Sequence, residues 1–212
     1  DFLSSSGENV ATDKLIYVSS FQTNQSASGS FSDWKELGYL GILNYSYDDK
    51  YIVDLSFRYD GSSRFAQDYR FGEFWSAAAA WNITEEDFLN DSDIINNLKI
   101  RASVGETGSN SVGLNSYQSL FGYGGSYDDN GAVSPSSFGN AILTWEKQAQ
   151  YDIGLDYSIL DNRISGSIVA FNRKTSDLLQ SVPLSLTSGH SSQSKNIGEI
   201  ENKGFEFEFE AD

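Results

Sequence analysis

The feature that most constrains this chain is a two-residue alternation of apolar and polar side chains, repeated in runs longer than an ordinary soluble strand. Tyr39, Gly41, Leu43, Tyr45 and Tyr47 fall on one face of the first run, and Leu40, Ile42, Asn44 and Ser46 on the other. Period two means strand, because successive side chains of extended backbone point to opposite sides. Asp48-Asp49-Lys50 reads as a tight turn, after which Tyr51, Val53, Leu55, Phe57 and Tyr59 oppose Ile52, Asp54, Ser56, Arg58 and Asp60. The pattern recurs with Trp75, Ala77, Ala79, Trp81 and Ile83 against Ser76, Ala78, Ala80 and Asn82. It returns with Leu98, Ile100, Ala102 and Val104 against Lys99, Arg101, Ser103 and Gly105. Near residue 150 the apolar set is Trp145, Ala149, Tyr151, Ile153, Leu155 and Tyr157, with Lys147 the one charge on that side. That lysine sits near a strand end, where it can snorkel. Phe205, Phe207 and Phe209 alternate with Glu206, Glu208 and Glu210 in the last run.

Two further strands are expected with less definition. Across residues 163–173, Val169 and Phe171 fall opposite Ile164 and Ile168, so the facing is left open. Another strand is expected around Leu15, Tyr17 and Phe21. Tight turns at 48–50 and 158–162 alternate with long polar connections at 60–73, 106–143 and 174–195. One side of the structure therefore carries short turns and the other long loops. The connection 84–97 lies on the short side, and its Thr84-Glu85-Glu86-Asp87 predicts a short helix with Thr84 as N-cap.

Composition narrows the function. Fourteen basic against 30 acidic residues give a net charge of −16, which argues against a nucleic-acid partner, since a polyanion needs clustered Lys and Arg. Without Cys, and with His190 as the single histidine, neither a thiolate nor a multi-histidine metal site can be built. No cofactor and no metal are expected. The 4 Trp, 12 Tyr and 14 Phe argue against disorder. No window of about 18 apolar residues offers a transmembrane helix, and the first residues show no basic stretch leading into an apolar one.

Each alternating strand fits either a soluble sandwich or a membrane barrel. Length favours the barrel, because soluble strands run about 5 or 6 residues and bilayer-spanning ones about 9 to 11. So does the placement of Tyr45, Tyr47, Tyr51, Tyr59, Trp81, Trp145 and Tyr157 toward the ends of the apolar stripes. At a headgroup boundary their polar atoms meet water directly, whereas in a sandwich core each needs a buried partner. The opposite faces would then line a wet lumen, and Asp54, Arg58, Lys99, Arg101, Glu146, Asp152, Glu206 and Glu208 are the lumen-facing candidates. About seven or eight strands leave open edges, which lipid does not tolerate. Residues 1–212 are therefore expected to be part of one larger antiparallel transmembrane β-barrel domain.

A resemblance sharpens this. Tyr59-Asp60-Gly61-Ser62-Ser63-Arg64-Phe65, then Arg70-Phe71-Gly72-Glu73-Phe74-Trp75-Ser76, then Trp81-Asn82-Ile83-Thr84-Glu85-Glu86-Asp87-Phe88 resemble a run typical of SusC/RagA-like TonB-dependent outer-membrane transporters. Leu98 to Gly108, Leu143-Thr144-Trp145-Glu146, Gly154-Leu155-Asp156-Tyr157, Asn162-Arg163-Ile164 and Asn202-Lys203-Gly204-Phe205-Glu206 follow in matching order. The resemblance covers about residues 35–212 and implies a 22-stranded barrel with an N-terminal plug. It further implies energy from a TonB complex, acting through regions outside these residues, and a SusD-like lipoprotein closing the extracellular mouth. Import of oligosaccharides or peptides across the outer membrane, within a larger multi-protein assembly, is the function implied. A plug domain is not expected in this sequence.

Several motifs admit sharper readings. Tyr117, Phe121, Tyr123 and Tyr127 lie among glycines in the longest connection and are candidates for contact with substrate or lid. Loop self-ordering by the same aromatics is the alternative. Asp128-Asp129-Asn130-Gly131 carries calcium-type oxygens without the twelve-residue spacing or terminal Glu, so a solvated turn is expected. Glu206, Glu208 and Glu210 repeat at about 6.6 to 7 Å, a spacing also found in glycoside hydrolases, but nothing differentiates their environments. Asp60 to Phe65 reads as a structural loop start, and Ser188-Gly189-His190-Ser191 lacks a nucleophile elbow. No catalysis is expected. The competing reading from another class is a secreted acidic β-sandwich that binds glycan or mediates adhesion.

Overall fold

The computed structural model describes residues 2–10, 21–89, 92–128 and 130–211. The chain forms two compact units, residues 1–34 and 35–212. In the first, β1 (Phe2–Val10) and β2 (Phe21–Ser30) make an antiparallel hairpin. Of the strand expected around Leu15, Tyr17 and Phe21, Phe21 opens β2, whereas Leu15 and Tyr17 lie outside the described residues.

The second unit is a seven-stranded antiparallel sheet. Its strands are β3 (Glu36–Tyr47), β4 (Tyr51–Ser62), β5 (Phe71–Asn82), β6 (Ile95–Ser109), β9 (Glu146–Ile159), β10 (Ile164–Ser176) and β13 (Glu199–Ala211). The order across the sheet is β13-β10-β9-β6-β5-β4-β3, so every neighbour is also the next sheet strand along the chain. Two hairpins interrupt this meander within the long connections: β7 (Leu120–Tyr127) with β8 (Asn130–Ser137), and β11 (Leu179–Pro183) with β12 (Ser192–Asn196). The sheet does not close, and among the described residues β3 and β13 form its edges.

Local chemistry sets the turns on the short side. Asp48 and Asp49 both adopt φ of 53°, and the Lys50 N–H donates to the Tyr47 carbonyl at 3.1 Å. Leu160, Asp161 and Asn162 take φ of 56°, 58° and 63° in the second turn. Asp and Asn tolerate this left-handed region better than most residues. The third short-side connection departs from expectation. Among the described residues a 3₁₀ turn, Ile83–Glu85, stands where the helix is expected, and its N-cap is Asn82. The Thr84 hydroxyl instead accepts from the Leu98 N–H at 2.6 Å, which ties the connection to the start of β6.

Register decides the facing that alternation alone left open. Ile168 lies between Leu155 of β9 and Phe207 of β13, and Ala170 between Ile153 and Phe205. Val169 and Phe171 accordingly share the face of Glu206 and Asp152. Phe171 lies over Gly204, where an added Cβ would meet its ring at 3.1 Å.

Among the described residues of 35–211 the apolar stripes have no second layer against them, and Leu43, Leu55 and Phe207 are exposed. This removes the sandwich. The buried cluster sits instead under the long loops, where Phe65, Phe74, Val112, Leu143 and Trp145 pack together. Trp145 is 5.5 Å from Phe65 and 5.4 Å from Phe74, ring to ring, and its indole N–H donates to the Arg70 carbonyl at 3.0 Å. The sequence places Trp145 in the aromatic girdle. It precedes β9, however, so the strand's alternation does not govern its direction, and the loop cluster captures it.

Candidate functional site

The sheet has two chemically distinct faces, and the pairing register shows where each begins and ends. On one face Tyr51 pairs with Trp81, Val53 with Ala79, Leu55 with Ala77 and Phe57 with Trp75. Val104, Ala102 and Ile100 of β6 continue these rows, as do Tyr151, Ile153 and Leu155 of β9. From Tyr51 to Tyr59 the eight residue steps span about 26 Å along the strand, or about 20 Å along a normal at a tilt near 40°. The apolar band of a membrane barrel is about 25 Å tall, with girdle rings at its margins.

Both margins are marked by specific contacts. On the short-turn side Tyr51 and Trp81 stack at 6.4 Å, and both donate to one Glu86 oxygen, at 2.6 and 3.0 Å. The hydrogen bond from Tyr51, followed by that from Trp81, holds the Glu86 carboxyl below the ordinary glutamate range. Lys50 approaches the same carboxylate at 3.6 Å. On the long-loop side Tyr59 stacks on Phe71 at 4.9 Å. Beyond that line the same face turns ionic, with Lys147 on Glu106 at 3.0 Å and Lys174 on Glu199 at 2.8 Å. The lysine that stands alone in the sequence pattern therefore has a cross-strand partner.

The opposite face gathers all eight polar candidates. Asp54 and Arg58 project from β4, Lys99 and Arg101 from β6, Glu146 and Asp152 from β9, and Glu206 and Glu208 from β13, on rows fixed by the register. Several engage one another or their neighbours. Arg101 donates through Nε to Asp156 at 3.1 Å and lies across Gly154, where a Cβ would come within 3.0 Å of its guanidinium carbon. Arg58 pairs with Asp60 at 3.0 Å, and Asp54 accepts from the Asn44 amide. Asp152 accepts from Ser103 at 3.3 Å and Gln150 at 2.8 Å. Glu146 is set apart, because its carboxylate receives the Leu179 N–H at 3.0 Å and so anchors the β11–β12 hairpin. Ala78 and Ala80 leave a depression between Asp54, Lys99, Arg101 and Asp152. The polar character of this face is incomplete on β3, where Leu40 and Ile42 are exposed on the same side.

The aromatic loop candidates separate. Phe121 and Tyr123 stand on β7 opposite Pro135 and Val133, and Tyr123 is 86% exposed. Tyr117 is half-buried before the hairpin, with its hydroxyl accepting from Gln118 at 2.9 Å. Tyr127 pairs with Asn130 at the hairpin end, and its side chain is outside the described set. Asp128 has φ of 50° in the connecting turn, Asp129 lies outside the described residues, and no metal-ligand cluster occurs among the described residues. The two hairpins inside the long connections are what sequence reading missed. The turn-forming run Asp128-Asp129-Asn130-Gly131 is the sequence signal that marks the first, whose strands pair outward from Tyr127 and Asn130, and the short Ser-rich strands of the second carry too little alternation to find.

Comparison with known proteins agrees with this architecture. Residues 5–212 match the family model described as TonB dependent receptor-like, beta-barrel. TonB-dependent receptor P3 of Formosa agariphila is 44% identical over 171 residues, 79% of this chain and 17% of that protein. TonB-dependent receptor SusC of Bacteroides thetaiotaomicron is 38% identical over 186 residues, 82% of this chain and 18% of that one. Among solved structures, the RagAB peptide importer in its closed-closed state superposes with a TM-score of 0.85 at 30% identity, over 94% of this chain and 22% of that chain. The chain thus spans about a fifth of the length of these relatives. Its sheet is a segment of such a barrel, and the chain belongs to the TonB-dependent receptor family that includes SusC and RagA.

Proposed function

We propose that the chain forms part of the wall of an outer-membrane barrel that imports nutrients, oligosaccharides or peptides, with energy delivered through a TonB complex. The observation that carries this reading is the one-sided apolar band, bounded by aromatic rows and backed by a polar face, in a chain of this family. Outer-membrane lipid covers the Leu43, Leu55 and Phe207 stripe. The face carrying Asp54, Arg58, Lys99, Arg101, Asp152, Glu206 and Glu208 lines a hydrated lumen, where charged groups stay solvated without burial. A SusD-like lipoprotein covers the long-loop end, with Phe121 and Tyr123 available for contact. The carboxylates act as wall polarity, and no catalytic step is assigned to them.

The test is cell fractionation followed by uptake. The full-length chain should be recovered in the outer membrane, be released only by detergent, and support accumulation of a nutrient that is lost when the gene is deleted. Recovery as a buffer-soluble monomer would overturn the proposal.

A further inference from the structure

We infer that a trough over β10, on the apolar face of the sheet, is a binding site for one glycerophospholipid with a phosphoethanolamine head. The site rests on the membrane placement proposed above and singles out one lipid among those that cover the band. Small residues on one strand between large ones on its neighbours make the trough. Ala170 lies between Ile153 of β9 and Phe205 of β13, and the next row outward sets Asn172 between Tyr151 and Lys203. These six residues line a hollow of about 730 Å³. The intervening Asp152, Phe171 and Gly204 complete its floor, and by alternation the side chains of the first two leave by the other face.

The trough has a closed end and an open one. Toward the short turns Ile168 follows between Leu155 and Phe207, and Tyr157 then lies across Gly166, where an added Cβ would meet its hydroxyl at 2.8 Å. From Asn172 to Gly166 the residue steps along β10 span about 20 Å. Neighbouring strands lie about 4.8 Å apart, so walls on β9 and β13 leave width for one extended acyl chain and not for two side by side. Both walls belong to strands already paired to β10, so the trough is complete within this part of the barrel.

The open end carries the polar atoms that select a head. Asn172 donates through Nδ2 to Glu201 at 3.0 Å, which fixes the orientation of its amide, and its Oδ1 is enclosed without a donor among the described residues. A carboxamide oxygen cut off from water and from protein donors is costly, so this atom calls for a donor from outside the chain. Its flanking residues, Tyr151 and Lys203, are both exposed, and a swing of either side chain opens Oδ1 to the trough. Lys203 is the cation at hand, because its ammonium is 3.9 Å from Glu201 whereas Lys174 is held on Glu199 at 2.8 Å. Around this end two lysines stand against two glutamates on the same face. A head bearing several phosphates would meet as much repulsion as attraction there. Phosphoethanolamine carries one charge of each sign, so its phosphate meets Lys203 while its ammonium donates to Asn172 Oδ1 and the Glu201 carboxylate. A trimethylammonium head has no N–H to give, and a glycerol head has no cation. One acyl chain then runs over Ala170 toward Tyr157.

The experiment is native mass spectrometry of the purified full-length protein in detergent. Its probes are equimolar phosphatidylethanolamine, phosphatidylcholine and phosphatidylglycerol with identical acyl chains, and lipopolysaccharide as competitor. Phosphatidylethanolamine should be retained over each of the other two by about tenfold or more, the worth of a charge-assisted hydrogen bond. Ala170→Leu, which fills the trough, should abolish that retention, whereas Ala79→Leu, on the same face of another strand, should leave it intact. Asn172→Leu should erase the preference over phosphatidylcholine, and Lys203→Gln should weaken retention of all three phospholipids. Heat-modifiable migration shows which variants are folded, and Asn172→Leu decides the case should Ala170→Leu fail to fold. Equal retention of the three phospholipids, retention unchanged in a folded Ala170→Leu or Asn172→Leu variant, or displacement of phosphatidylethanolamine by lipopolysaccharide would overturn the site and leave the import reading standing. A buffer-soluble monomer on cell fractionation would overturn the import reading and the lipid site together.

Discussion

Placing an arginine at the middle of the apolar band tests the membrane assignment most directly. Leu55 faces the band between Leu43 and Ala77, four residue steps from both Tyr51 and Tyr59. At about 3.3 Å per step and a tilt near 40°, it lies about 10 Å from each aromatic margin, close to the bilayer midplane. Leu55→Arg should therefore cost about 2 to 4 kcal/mol, and Tyr59→Arg, at the margin, about 0 to 1 kcal/mol. Ser56 is the neighbouring residue on the other face, where its hydroxyl lies 2.6 Å from that of Ser76. Ser56→Arg forfeits one hydrogen bond, about 0.5 to 1.5 kcal/mol, and places its charge in water. The assay is equilibrium urea unfolding of the full-length barrel in phospholipid vesicles, followed by tryptophan fluorescence. Leu55→Arg is expected to cost more than either Ser56→Arg or Tyr59→Arg, and to exceed Tyr59→Arg by about 1 kcal/mol or more. Equal costs at Leu55 and Ser56, or a larger cost at Ser56, would refute the facing and with it the lipid assignment.

Other consequences can be measured on the same protein. Trp145→Ala removes the centre of the loop cluster and one of the two hydrogen bonds to the Arg70 carbonyl, which keeps the one from the Ser62 N–H at 3.0 Å, so a loss of about 3 to 5 kcal/mol and faster proteolysis of the long loops are expected. Asn196 accepts from the Thr144 N–H at 2.9 Å and donates to the Thr144 carbonyl at 2.8 Å. Asn196→Ala should cost about 1 to 3 kcal/mol and expose the β11–β12 hairpin to limited proteolysis, with the sheet intact by circular dichroism. Glu86 is held below its usual range in the folded chain, so its contribution is complete above the unfolded carboxyl's pKa. That contribution disappears as pH falls through the lowered folded value. Glu86→Gln should remove this acid-dependent component from a pH series of the unfolding midpoint, and an unchanged series would exclude the link. Glu206→Gln and Glu208→Gln should leave nutrient uptake within about twofold, because their spacing follows from alternate strand positions and not from an acid–base pair.

What the sequence made legible follows from where period and solvent coincide. The 39–59 hairpin, the Trp75–Trp81 stripe and the Phe205–Phe209 stripe are readable because a one-residue slip would exchange lipid and water for every side chain. Residues 164–173 are not readable alone, since Phe171 on the polar face is there to cover Gly204, a relation that only the neighbouring strand supplies. Thr84 and Trp145 fail for a shared reason. Both lie just outside regular strands, where a tertiary partner, the Leu98 backbone or the Phe65–Phe74 pair, outweighs local pattern.

The open rims of the sheet carry a practical consequence. Along β3 and β13 the outward hydrogen-bonding groups meet no strand among the described residues, and both rims are a dozen or so residues long. A rim of that kind templates the addition of any extended chain. Residues 35–212 produced alone would thus recruit copies of themselves, β13 of one molecule against β3 of the next, and grow as a ribbon in detergent or aqueous buffer. Work on this segment calls for its flanking strands, or for a covalent cap on each rim.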